Sequence, residues 1–477
     1  MIDTGEASSL KSAERHATNA VAYELLRKRH LQDMRSRIPL VMQRLTWSAE
    51  QLKAERERRL REMLRIAKDR SAWHRHRLAG IDPERATEAS LQDIPPMTKD
   101  DLMTNFDAIS TDPQVTLDVA EAHLAGLRSD AYLCDRYHVI ASGGSSGRRG
   151  VCVHDWDPWA EGYIVFFRYV MSLRMRDSAV RGKPIRGAMV AAQDPTHATG
   201  ALPQTFSDPQ SGIWHHYPVT TPVEQIIAGL NEHQPEVLAS YPSVLHQLAF
   251  AAHSGALAIA PRLIFCTAEP LLSEIRRSVS EVWPVPLLNM WAATEVGPMG
   301  SSCGEGSGLH LSDDILIVEA VDRNDRSVRP GERSAKVLVT PVFTPAPLPL
   351  IRYEITDEVT LLDEPCACGS AHRRVADIEG RLDDGFEYGA THVHAHVFRS
   401  RLGKERHIVE YQVRQTPGGA LVEVHCSGDV DVGSLREALA GDLQKAGLPT
   451  PDVAVAAVQR IERPRSGKLK RFIPLNR

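Results

Sequence analysis

Apolar positions along the chain follow two rhythms, and the change between them divides it. From Ser48 the spacing is helical: Ser48 and Gln51 stand at capping-box separation, and Leu60, Leu64 and Ala67 recur about one turn apart. Upstream, residues 1–44 are polar, weakly periodic and free of turn residues, which predicts a mobile or loosely docked helical extension. From about residue 130, short apolar runs bounded by Gly and Pro take over. Residues 188–192, 237–240, 263–267 and 287–291 read as buried strands, with helical windows at 222–232 and 271–282. Such alternation predicts a parallel sheet covered on both faces. Residues 336–352 instead predict antiparallel β structure ending in a proline-rich bend. After Asp384, residues 411–415 and 421–426 alternate around Pro417-Gly418-Gly419, a hairpin pattern, before an amphipathic helix at 435–446 and a strand at 453–461. The expected organisation is an extension (1–44), a large α/β domain (45–380) and a small α+β domain (381–477).

Composition narrows the class. A chain of 477 residues has room for two or three domains. Its net charge of −5 gives no reason to expect a nucleic-acid or anionic-membrane partner. No run approaches the roughly 18 apolar residues of a membrane helix. The opening Met1-Ile2-Asp3-Thr4 is no basic and apolar leader, so the expected location is cytoplasmic. Seven cysteines, unevenly placed, make no disulfide framework. Cys303 and His310 form a Cys-x₆-His pair and Cys366 and Cys368 a Cys-x-Cys pair. Together they make a Cys₃His set of the structural zinc type, against the plainer reading of three thiols and a core histidine. Cys134, Cys152, Cys266 and Cys426 read as ordinary buried residues.

Five segments carry candidate chemistry. Ser142-Gly143-Gly144-Ser145-Ser146-Gly147-Arg148 is a loop whose amides and hydroxyls can close on phosphate oxygens, with Arg148 adding charge. Gly/Ser loops are also common linkers, and no Walker ending follows. Trp291-Ala292-Ala293-Thr294-Glu295 follows an apolar strand, where α/β sheets place ligands. By itself it also reads as a core tryptophan with a capping threonine. Asp357 is a ribose-hydroxyl acceptor or a surface turn. Gly380-Arg381-Leu382-Asp383-Asp384 stands where composition changes, as a hinge would. Near the end, Pro464 and Gly467 make the basic stretch around Ser466-Gly467-Lys468 a loop presenting one lysine.

In this order the segments resemble the successive motifs of the adenylate-forming superfamily and, within it, the phenylacetate–coenzyme A ligase family. Pro95-Pro96-Met97-Thr98-Lys99, Thr267-Ala268-Glu269-Pro270 and Gly308-Leu309-His310 carry that branch, and the resemblance spans about residues 45–477. It implies a large adenylate-forming domain with parallel β-sheets flanked by helices and a β subdomain, closed by a small α+β lid. The implied activity is ATP- and magnesium-dependent adenylation of a small aromatic or arylacetic acid, followed by transfer to coenzyme A. The loop from Ser142 to Arg148 would close over the phosphates and Trp291 would stack on adenine. Ala268, Glu269 and Pro270 would line the adenine pocket, and Asp357 would bind ribose. Thr294 would contact the α-phosphate, Glu295 would hold Mg²⁺, and Lys468 would be the catalytic lysine. Arg381 and Asp383 would form the hinge. The acid pocket is expected from Tyr241, Pro242, Ala292, Ala293, Phe166 and Phe167. Some family members carry zinc at the Cys₃His position, and dimers are common.

The chain departs from the family pattern in places. Ser145-Ser146 and Arg148-Arg149 replace Thr-Thr and Lys-Pro, and Ala292 replaces glycine. His392, His394 and His396 occupy the loop that lines the family's pantetheine tunnel. The acceptor is therefore open among coenzyme A, an amine and a carrier-protein thiol, with nitrite-activating diazotisation a remoter branch. A catalytically silent nucleotide-binding protein is the non-enzyme alternative, against which the presence of Glu295, Asp357 and Lys468 stands.

Overall fold

The computed structural model describes residues 4–142, 150–208, 212–378, 385–389, 391–405, 407–463 and 468–475, with side chains from Tyr23 onward. The four expected strands form the middle of a nine-stranded sheet. Across it lie Leu361–Leu362, Arg374–Val375, Leu309–Leu311, Gly297–Ser301, Leu287–Ala293, Leu263–Thr267, Val237–Ser240, Ile185–Ala191 and Gly212–Pro218. The last five run parallel, as expected. The other half is antiparallel, because after Leu287–Ala293 the chain turns straight back with no crossover helix.

Alternation along the parallel strands splits their side chains between two layers. Val190, Leu238 and Ile264 pack under the helices Val223–His233, Pro242–His253 and Ser273–Val282 through Ile226, Leu245 and Val279. Met189, Ala239, Phe265 and Met290 face the helix Trp156–Arg176 through Phe166, Phe167 and Val170. A separate antiparallel sheet joins Leu316–Val321, Lys336–Pro341 and Tyr353–Ile355, in agreement with the pattern at 336–352.

In the small domain, Ile408–Thr416 and Gly419–Cys426 pair up to Thr416 opposite Gly419, leaving Pro417-Gly418 as the loop. Asp452–Val458 and Phe472–Ile473 flank this hairpin in parallel. Leu435, Leu439 and Leu443, one turn apart on the helix Val432–Lys445, pack with Val413, Val422 and Phe472.

The N-terminus departs from expectation. Thr4–Gln43 is one helix, and from Tyr23 onward it is docked on the body. The Tyr23 hydroxyl donates to Asp130 at 2.6 Å, Trp156 Nε1 donates to Asp33 at 2.8 Å, and the His30 ring stacks on Trp156. Besides these polar anchors, Leu31, Met34, Ile38 and Val41 form a short apolar stripe packed on the core, too brief within a 40-residue polar helix to stand out as periodicity. The capping box at Ser48 is present and opens the helix Ala49–Arg70. Among the described residues no helix is long and apolar enough to cross a membrane.

Candidate active site

One cleft of about 1520 Å³ gathers most of the predicted residues. Ser142, Ala268, Glu269, Pro270, Trp291, Ala292, Ala293, Thr294, Glu295, Asp357, Phe166, Phe167 and Lys468 all line it. Gly143 to Arg148, Arg381 and Asp383 lie outside the described residues. Tyr241 and Pro242 do not line the cleft, a correction to the expected acid pocket. Tyr241 is fully buried and its hydroxyl accepts the Ala192 N–H at 3.0 Å, while Pro242 opens the helix behind it.

The Trp291 to Glu295 segment sits where the sheet changes from parallel to antiparallel, so its chain turns out of the sheet at the carboxyl ends of the parallel strands. The Trp291 indole N–H donates to an Asp357 carboxylate oxygen at 2.6 Å, both residues being buried. This bond fixes the tryptophan plane and orients the carboxylate. The His154 ring is hydrogen-bonded to the Thr294 backbone, and burial pushes its pKa down to about 4, so a neutral imidazole braces this turn.

Lys99 is the site residue that motif reading left without a role. Its Nζ donates to Ser142 Oγ at 2.8 Å and stands 3.9 Å from Glu295 Oε1. Gly150 N–H donates to the same hydroxyl at 3.0 Å. A Cβ on Gly150 would fall 2.9 Å from both Lys99 Cε and Ser142 Oγ, so only glycine lets the three groups converge. Local signals bring the lysine there. Thr98 and Asp101 cap the helix Lys99–Thr104, and Met97 bonds through its backbone to Arg352 and Glu354 beside the strand Tyr353–Ile355. The Thr98-x-x-Asp101 pattern was the available sequence clue.

Lys468 enters from the small domain. Its neighbour Leu469 donates its N–H to Glu269 at 2.6 Å, and Glu269 also accepts the Ser243 N–H at 3.1 Å. Arg463 stands 3.7 Å from Glu269, bonds Ser243 Oγ at 3.0 Å and pairs with Glu410. Glu269 thus lines the cleft as expected, but its carboxylate ties the two domains together. It follows Ala268, whose φ of +71° is a left-handed conformation rare for a residue with a Cβ.

The predicted metal set also assembles. Cys303 and Cys366 sulfurs lie 3.6 Å apart, Cys368 sulfur lies 3.3 Å from His310 Nε2, and all four donors fall within 4.8 Å of one another. A tetrahedral zinc with bonds of about 2.3 Å to sulfur and 2.0 Å to nitrogen needs donor separations of roughly 3.5–3.8 Å. His310 Nδ1 is 3.3 Å from the His372 carbonyl, a bond that leaves Nε2 free to ligate. The four residues therefore fit zinc, and the three cysteines are free thiols. Of the other cysteines, Cys152 and Cys266 are buried, whereas Cys134 is exposed and Cys426 half-buried, against expectation for those two.

This arrangement has recognisable counterparts. No protein-family model matches the chain. It is 30% identical over 167 residues to phenylacetate–coenzyme A ligase of Thermus thermophilus, covering 34% of this chain and 37% of that protein. To CapK of Staphylococcus aureus it is 23% identical over 321 residues, 64% of this chain and 62% of the relative. The chain thus matches less than two thirds of the length of both relatives. Among solved structures, 2-hydroxyisobutyryl-CoA ligase in its postadenylation state superposes with a TM-score of 0.70 at 17% identity, over 90% of this chain and 91% of that one. The same ligase in its thioesterification state gives 0.56 over the same shares. The chain therefore shares the fold of this ligase. Its sequence likeness, over about a third of the chain, is to a phenylacetate–coenzyme A ligase.

Proposed function

We propose that this chain is an acid–thiol ligase that activates an organic acid as its acyl-adenylate and passes the acyl group to coenzyme A. The observation that supports it is Lys468 of the small domain lining the same cleft as Ser142, Trp291, Thr294, Glu295 and Asp357. A carboxylate oxygen of the acid attacks the α-phosphorus of ATP, and pyrophosphate leaves. Two anions meet in that step, and the Lys468 ammonium stabilises the charge they share. Lys99, beside Ser142 and Glu295, holds the departing phosphates. Glu295 would hold Mg²⁺, which would further neutralise phosphate charge. Asp357 accepts hydrogen bonds from ribose, and Trp291 both anchors that carboxylate and offers its ring to adenine. The thiol then attacks the acyl carbon and AMP leaves. Zinc held by Cys303, His310, Cys366 and Cys368 would be structural, since four protein ligands would leave it no open position.

A second reading keeps the adenylation and changes the acceptor to an amine or a carrier-protein thiol. It is favoured by His392, which lines the cleft where the family's pantetheine loop differs from this chain. Acid-dependent exchange of labelled pyrophosphate into ATP, run on wild type and Lys468→Ala, tests the first step. Exchange driven by an organic acid and reduced on the order of 10²–10³-fold in the variant is expected. ATP binding with no exchange for any acid or for nitrite would leave a silent nucleotide-binding protein instead.

A further inference from the structure

We infer that the acid site takes an elongated apolar acid and that the N-terminal helix supplies its far wall; this rests on the adenylation reading above. The cleft does not end beside Ala292 and Ala293. It continues between the large sheet and the helix Trp156–Arg176 as a chamber walled by aromatic rings in sequence. Centroid separations are 4.0 Å for Phe206–Tyr163, 4.8 Å for Tyr163–Phe167, 5.4 Å for Phe167–Phe265 and 6.4 Å for Phe265–Trp214. All five side chains line the cleft. Trp214 lies on the edge strand Gly212–Pro218 across Gly187, where an added Cβ would come within 2.6 Å of the indole.

Met34 and Ile38, one turn apart on the N-terminal helix, line the same cleft. Their position is held by polar anchors on both sides. Arg27 donates to the Thr205 carbonyl at 3.1 Å, Arg37 pairs with Asp157 at 2.5 Å, and Arg35 pairs with Asp208. The wall is therefore built in, and no swinging flap. Among the described residues no lysine or arginine lining the cleft stands on the N-terminal helix, the helix Trp156–Arg176 or the strand Gly212–Pro218, and Arg35 beside the cleft is already paired with Asp208. A phenylacetate-sized acid seated at Thr294 would leave most of the ring wall uncovered. A longer apolar body covers it, at about fourfold in affinity per methylene buried.

The test is the pyrophosphate-exchange assay across ω-phenylalkanoic acids from phenylacetate to phenyloctanoate and straight-chain acids of similar length. Wild type, Met34→Trp and Ile38→Ala are compared. The expected kcat/KM rises at least tenfold from phenylacetate to the longer acids. Met34→Trp lowers it at least tenfold for the longest acids and less than about threefold for phenylacetate. Ile38→Ala moves the optimum to a longer acid, and decides the matter if Met34→Trp is inactive with every acid. A kcat/KM that falls with length, or an optimum that neither variant moves, overturns the inference while leaving adenylation intact. Absence of exchange with every acid overturns the adenylation reading and this inference with it.

Discussion

At the scale of single residues, Glu269 serves the cleft from an unexpected direction. Its carboxylate receives the Leu469 N–H at 2.6 Å and the Ser243 N–H at 3.1 Å, so it holds the backbone next to Lys468 against the large domain. Hydrogen bonds to a charged group contribute about 1.5–3 kcal/mol each. Glu269→Ala should lower pyrophosphate exchange by roughly 10- to 100-fold, with Glu269→Gln milder because its amide oxygen still accepts. An exchange rate unchanged in Glu269→Ala would rule out this holding role. The motif Thr267-Ala268-Glu269-Pro270 was legible in the sequence, whereas its partner 200 residues on was not. Lys99 shows the same limit. Its helix cap could be read locally, but its approach to Ser142 and Glu295 depends on the backbone pairing of Met97 with the segment around Tyr353.

At the scale of elements, the Cys₃His set joins the short strands of the antiparallel half. Cys303 follows Gly297–Ser301, His310 lies on Leu309–Leu311, and Cys366 and Cys368 precede Arg374–Val375. Strands of two to five residues bury little by themselves, and a metal staple there contributes folding energy directly. Zinc analysis should return about one ion per chain. Cys366→Ser should lose it and unfold at a lower temperature, while exchange per folded molecule changes less than about threefold. Zinc-free wild type of unchanged melting temperature would contradict the site. The spacing of these residues was visible in the sequence because zinc sets rest on near neighbours in the chain. The docking of the N-terminal helix was not, since its apolar stripe is only Leu31, Met34, Ile38 and Val41, and Tyr23, Arg27, His30 and Asp33 add polar contacts that mimic a solvated face.

At the scale of the whole molecule, a buried ionic network ties the end of the N-terminal helix, the helices Ala49–Arg70 and Trp156–Arg176, and the loop at Asp314. Arg168 Nη1 donates to both Asp314 oxygens at 2.9 and 3.0 Å, Arg59 forks onto Glu161 at 2.9 Å, and Arg44 pairs with Glu161 and lies 3.5 Å from Asp314. Burial by itself would raise the Asp314 pKa, but Arg168, then His372 and Arg44, hold it well below its ordinary 3.8. A depressed carboxylate stabilises the fold fully above its unfolded pKa and loses that contribution as pH falls toward the folded value. Urea unfolding should therefore show this contribution constant above about pH 5 and declining below pH 4. Arg168→Met, which leaves Asp314 buried beside fewer cations, should cost about 3–5 kcal/mol at neutral pH. A loss under about 1 kcal/mol would show that the network is not the tie it looks to be.

The sequence alone determined the four parallel strands, the hairpin around Pro417-Gly418 and the Cys₃His cluster. Each of these is written in short-range periodicity, turn chemistry or spacing along one segment. Only the tertiary structure decided that Tyr241 lies behind the cleft, that Lys99 and Glu269 meet groups far away in the chain, and that Met34 and Ile38 line the cleft. Those outcomes depend on packing between elements remote in sequence, and a local pattern of apolar and polar residues carries no record of which distant face it will meet.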